Sequence, residues 1–182
     1  MRWGVALAWL VLACDPVATG TSATGASAPP AELDRVGVVR ALDTMLPRLG
    51  DAPSLLELRA TPAGLALQVI EKGSGRVVEY GCAFEADGQP SPLVTGPITL
   101  PMKGEGDLSE NSFPLSDIDL GKITAAFPIA KKAVDPSDGA VRELVVRRYL
   151  PFSRGLRARI FVDSPRLSGS LDTNPNGLPI KP

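Results

Sequence analysis

The chain has 182 residues, 44% of them hydrophobic, with 19 Lys and Arg against 20 Asp and Glu. That balance leaves no basic surplus for nucleic acid. There is no histidine, which excludes Ser-His-Asp and Cys-His catalysis and every His-ligated metal site.

At the N-terminus, Arg2 precedes an apolar run from Trp3 to Ala13, and Cys14 follows. The run suits the apolar region of a signal peptide and falls short of the about 20 residues that cross a bilayer. Val11-Leu12-Ala13-Cys14 resembles a lipobox, the branched aliphatic, free position, small residue and cysteine shared by bacterial lipoprotein signals. The resemblance implies a signal over residues 1–13 and acylation of Cys14, with palmitate-type chains holding the protein on a lipid bilayer. The address is then the bacterial cell envelope, at the inner or outer membrane, with the folded part outside the cytoplasm. An ordinary secretory signal cut after Ala26-Ser27-Ala28 is the alternative, but that site lies across a polar stretch from the apolar run. Residues 14–31 are rich in Ala, Gly, Ser, Thr and Pro. Such a segment cannot bury enough apolar surface to offset its ordering entropy, and it reads as a flexible tether.

About 150 residues remain, enough for one domain with a core. Both tryptophans, Trp3 and Trp9, fall in the signal, and Cys82 is the other cysteine besides Cys14, so no disulfide framework forms within the domain. The pattern predicts an α+β fold of two helix-strand-strand-strand repeats, residues 32–88 and 116–182, joined by a connector at 89–115. In the first repeat Leu33, Val36, Val39, Leu42, Met45 and Leu46 recur at helical spacing from Glu32, and Pro47 and Gly50 close the helix. Strands follow at 55–59, 64–70 and 76–86. In the last of these Val78, Tyr80, Cys82 and Phe84 take the buried parity. The connector adds a candidate strand at Ile98–Met102. In the second repeat Ser116 and Asp119 suggest a capping box, and Pro128 ends or kinks the helix near Phe127. Strands are expected at 140–150, 155–163 and 167–171, before a turn from Asp172 to Gly177. Together these give about six antiparallel strands with both helices on one face.

The halves resemble the PepSY-like and beta-lactamase-inhibitor-like domains of bacterial envelope proteins. The residues that carry the likeness are Ala126-Phe127-Pro128-Ile129-Ala130 with Asp172 to Gly177, and more faintly Leu46-Pro47 with Asp87-Gly88. The likeness covers about 55 residues per half and rests on short motifs. It implies a non-catalytic domain that binds or inhibits other proteins, and it supplies no catalytic residues.

Arginine concentrates in the second half. Arg142, Arg147, Arg148, Arg154, Arg157, Arg159 and Arg166 stand against Glu143 and Asp163, a local balance of +5. Alternation puts Arg157 and Arg159 on one face, and a neighbouring strand is expected to bring Arg147 or Arg148 beside them. Two readings stand open. One is a docking face for an acidic partner or lipid phosphates, since the guanidinium fork suits both. The other is a solvated outer face, neutralised by the acidic residues Glu105, Asp107, Glu110, Asp117 and Asp119. The acidic segment and Asp172-x-Asn174-x-Asn176-Gly177 are the two calcium candidates, and the second lacks the bidentate ligand of an EF-hand loop. Cys82 reads as a buried thiol.

These readings lead to one expectation, a membrane-anchored envelope lipoprotein with a non-catalytic protein-binding, inhibitory or accessory role. Its partners are the bilayer and another envelope protein, with no nucleic acid and no small-molecule cofactor. The alternatives are a carboxylate-dependent hydrolase or metal-binding module, and a structural subunit of a membrane complex.

Overall fold

A computed structural model describes residues 32–101, 107–150 and 153–180. All of them belong to one compact unit, Ala31–Pro182. Cys14 and residues 14–31 lie outside the described residues, so the lipobox and the tether remain readings of the sequence.

Helix α1 spans Arg35–Leu49. It opens at Asp34, whose carboxylate accepts from the Gly37 N–H at 2.6 Å, satisfying a donor that has no partner inside the helix. Val38, Ala41 and Met45 turn to the core, whereas Val36 and Leu46 are exposed. The apolar spacing thus overstates the buried stripe. Pro47 does not close the helix, which runs on to Leu49. So near the end its ring costs one backbone bond, and an exposed turn yields that bond easily to water.

Four strands follow as a meander: β1 Ser54–Thr61, β2 Gly64–Ile70, β3 Val77–Phe84 and β4 Pro90–Thr99. The expected strand at Ile98–Met102 is displaced. β4 ends at Thr99 and pairs with β3 from Phe84↔Pro90 to Val78↔Thr99. Its sequence reads as loop because Pro90, Pro92 and Pro97 interrupt it. As an edge strand it tolerates residues with no N–H to donate.

The connector then makes helix α2, Leu108–Asn111, and the two-residue strand β5, Phe113–Pro114. A 3-10 turn over Leu115–Asp117 leads to helices α3, Leu120–Ala125, and α4, Phe127–Val134. Asp119 rather than Ser116 caps α3, accepting from Lys122 N–H at 3.0 Å, because Ser116 is held within the 3-10 turn. Pro128 interrupts without ending. It lies in the first turn of α4, where its missing N–H would have no intrahelical partner. A second meander completes the chain: β6 Ala140–Tyr149, β7 Ser153–Asp163 and β8 Ser168–Thr173.

All eight strands form one antiparallel sheet in the order β4-β3-β2-β1-β6-β7-β8, with β5 beside the start of β1. The fold is α+β. The first strands of the two meanders meet at the centre, where Glu57↔Arg147, Leu58↔Val146, Arg59↔Val145 and Ala60↔Leu144 pair. One apolar cluster joins Val38, Ala41 and Met45 of α1 with Phe127 and Ala130 of α4 over Leu58, Leu67, Leu144, Val146 and Ile160. Both helices therefore lie on the same side of the sheet. No helix among the described residues is long and apolar enough to cross a membrane.

Candidate functional site

Strand side chains alternate, so residues outside the core on β1, β6, β7 and β8 stand together on the side away from the helices. Register sorts them into rows. One row runs Gln68, Glu57, Arg147, Arg157. The next runs Ala66, Arg59, Val145, Arg159, Asp172. Val145 is buried in the middle of this polar row, between arginines whose aliphatic stems shield apolar neighbours.

Arg159 grips Asp172 with a fork, Nε to Oδ1 at 2.6 Å and Nη2 to Oδ2 at 2.9 Å. The Arg159 hydrogen bond holds the Asp172 carboxyl below its ordinary range, and the same bond raises Arg159. Arg157 reaches that carboxylate at 3.8 Å, too far for a hydrogen bond. Arg147 pairs with Glu57 at 3.2 Å and Arg59 with Glu143 at 2.5 Å. The guanidinium groups of Arg147 and Arg159 each stand 4.8 Å from the Tyr149 ring centroid. Such contacts contribute about 0.5–1 kcal/mol where exposed, and they fix the direction of both side chains.

Of the four arginines singled out from the sequence, Arg147, Arg157 and Arg159 thus converge around Tyr149 and Asp172. Arg148 does not join them. It shares the parity of Leu144 and Val146 on β6, and its Nε donates to the Ser112 carbonyl at 3.0 Å. There it lines a separate cavity of about 300 Å³ with Ser109, Glu110 and Leu150.

The carboxylates paired with Arg59, Arg147, Arg157 and Arg159 come from the sheet itself and not from the acidic segment. Asp107 and Asp119 are spent on capping α2 and α3, Glu105 lies outside the described residues, and the pairing carboxylates are Glu57, Glu143 and Asp172. Arg166 is drawn elsewhere again. Its Nη2 meets Asp135 Oδ2 at 3.1 Å and Asp138 Oδ2 at 2.8 Å. Asp135 is 4% exposed, and its carboxyl is lowered to about 2. The Ser164 hydroxyl contributes most, followed by the Asp138 and Ser137 N–H groups and Arg166, against the opposing effect of burial. This clamp ties the turn after α4 to the β7–β8 hairpin.

No family model, curated protein or solved structure matches the chain. The chemistry of the face rests on its own geometry. Turn residues that suggested calcium are occupied otherwise. Asn174 Oδ1 accepts from the Asn176 and Leu178 N–H groups, and Asp172 belongs to Arg159. Among the described residues no group of three or more His, Cys, Asp or Glu is placed to hold a metal ion. Cys82 of β3 is buried, with its thiol directed at the Ser91 carbonyl of β4, 3.4 Å away, and burial pushes that thiol up. Sequence reasoning does not mark Tyr149, Glu57 or Glu143 as members of the face. The aromatic residue at the end of an arginine-bearing strand is the one signal that points there.

Proposed function

We propose that this protein is a lipid-anchored envelope protein whose uncovered sheet face binds another protein, without catalysis. The observation that carries the reading is Arg157. It is half-buried, paired in register with Arg147, and the carboxylate nearest it is already held by the Arg159 fork. A partner carboxylate meeting Arg157 finds a guanidinium with donors to spare on a surface whose neighbours are already fixed. Arginine and tyrosine in such ordered arrangements are the side chains that dominate protein interfaces. The ion pairs around them leave the face nearly neutral overall, which favours a specific contact over general attraction to acidic surfaces. Two meanders meeting first strand to first strand also suit the tandem PepSY-like reading. The anchor rests on the Val11–Cys14 lipobox and the tether that follows it.

Two experiments test the two parts. Affinity capture from the native envelope with an Arg147→Glu/Arg157→Glu/Arg159→Glu protein should lose the partner that the unaltered protein recovers. Recovery of the same partner by both sinks the arginine face. Fractionation of a Cys14→Ser protein should find it released from the membrane, and a variant that remains there unchanged sinks the anchor.

A further inference from the structure

A groove of about 650 Å³ lies between the start of α1 and the length of α4. Its floor is apolar, with Leu33, Phe127, Pro128 and Pro136, and Arg35 and Lys132 stand on its walls. Two acidic residues there are already used. Glu32 pairs with Lys131 at 2.9 Å, and Asp34 caps α1. Among the described residues neither Arg35 nor Lys132 has an ion-pair partner.

Beside the groove, α4 is amphipathic in an unusual sense. Phe127 and Ala130 face the core. The outward positions Ile129, Lys132 and Ala133 follow the i, i+3, i+4 spacing of one helix face, and all three are exposed. Ile129 is 49% exposed, as is Val36, the residue after Arg35. The helix has no acidic residue. A solvent-facing side made of an exposed isoleucine, alanine and lysine is costly in water and suited to an interface that is apolar below and anionic above.

The position of the groove selects which surface that is. Glu32, one of its walls, is the residue through which the domain connects to the segment leading to Cys14. We propose that the groove and the outer side of α4 form the bilayer-facing surface of the domain, resting on anionic phospholipid. Arg35 and Lys132 meet the headgroup phosphates, and Ile129 enters the apolar boundary. The proposal rests on the lipid-anchor reading for its biological setting, but the surface acts without the acyl chains.

The test therefore uses the mature chain, residues 14–182, carrying Cys14→Ser and no lipid. Sedimentation with vesicles containing phosphatidylglycerol should carry the protein down at low salt. High salt should release it, and vesicles of phosphatidylcholine alone should leave it in solution. An Arg35→Glu/Lys132→Glu protein should bind at least about 20-fold more weakly, since each basic residue at an anionic surface is worth about fivefold. Ile129→Ser should weaken binding several-fold. All three positions are exposed, and far-UV circular dichroism verifies the fold. Lys72→Glu/Arg76→Glu, on the β2–β3 turn far along the chain, applies the same charge change and should leave binding intact. Absence of binding to the anionic vesicles overturns the proposal. So does equal binding to neutral ones, or equal loss from the two charge-reversed proteins. None of these outcomes touches the anchor, which the membrane fractionation of the Cys14→Ser protein decides separately.

Discussion

Over β2 and β3 the uncovered side of the sheet is floored by Gly64, Ala66, Gly81 and Ala83, leaving a trough of about 380 Å³ with Arg59 at one side. Over β6 and β7 the same side rises into Arg147, Tyr149, Arg157, Arg159 and Phe161. On the helix side the halves are alike, with Leu65, Leu67 and Val69 of β2 answering Leu144 and Val146 of β6 in one cluster. Packing constrains the helix side, because each apolar residue there must fill space against its neighbours. The other side is under no such constraint, and it is there that the halves part. Gly81 shows how far the bare half has gone, since a Cβ at that position would lie 2.8 Å from Thr95 Oγ1.

The likeness of the helix side gives the largest expected effects. Leu67 and Leu144 are fully buried in opposite meanders. Leu67→Ala and Leu144→Ala should each cost about 2–5 kcal/mol, the usual range for a leucine removed from a packed core. Urea denaturation should show each loss as a shift of a single transition. Two separate transitions in either variant would break the description of one core beneath both helices.

The junctions between helix and meander offer a finer comparison. After α1, Lys72 Nζ donates to the Asp51 carbonyl. After α4, the corresponding turn holds a buried carboxylate, Asp135, bonded by Arg166 and the Ser137 and Asp138 N–H groups. Its folded-state value of about 2 lies below the ordinary 3.8, so the ionised form favours the fold. That contribution is complete above about pH 4 and is lost as the pH falls toward 2. The urea midpoint of the unaltered protein should therefore drop across that interval. Asp135→Asn should begin lower at neutral pH and drop less steeply. Parallel curves for the two proteins would show that the clamp is not ionised to any advantage.

These regions also mark what the sequence made legible. Alternation along β3 set Val78 and Cys82 inward, where they are buried, and along β7 it placed Arg157 and Arg159 together, because period-two patterning is local. The connector strand was placed too late in the chain, because the three prolines of β4 are residues that normally argue against a strand, and only its edge position excuses them. Asp119 was recognised as part of a cap but given the wrong role, since Ser116 three residues earlier fits the same motif. The partners of the arginines were hidden for a different reason. Arg59 meets Glu143, and Arg147 meets Glu57, each across the β1–β6 seam, and that register is fixed by the packing of residues far apart in the chain. Arg148 illustrates the sensitivity involved: one position along β6 separates it from Arg147, and one position puts it on the opposite face.

The smallest expected effect on stability sharpens the comparison most. Arg159 and Asp172 are partly exposed and form the best-made pair on the face. Arg159→Ala should lower stability by less than about 1 kcal/mol, as exposed or half-exposed ion pairs commonly do. Ala66→Ser, in the bare trough of the other half, should change it by no more than about 0.5 kcal/mol. Thermal denaturation separates neither variant clearly from the unaltered protein, but capture of the envelope partner should. Arg159→Ala removes one of the two guanidinium groups over Tyr149 and leaves Asp172 to Arg157, so the donors that Arg157 offers a partner are withdrawn into the molecule. Partner recovery should fall with Arg159→Ala and stay unchanged with Ala66→Ser. Equal recovery with both would mean that the decorated half of the sheet is as passive as the bare one. The arginines would then be reduced to holding one another in place.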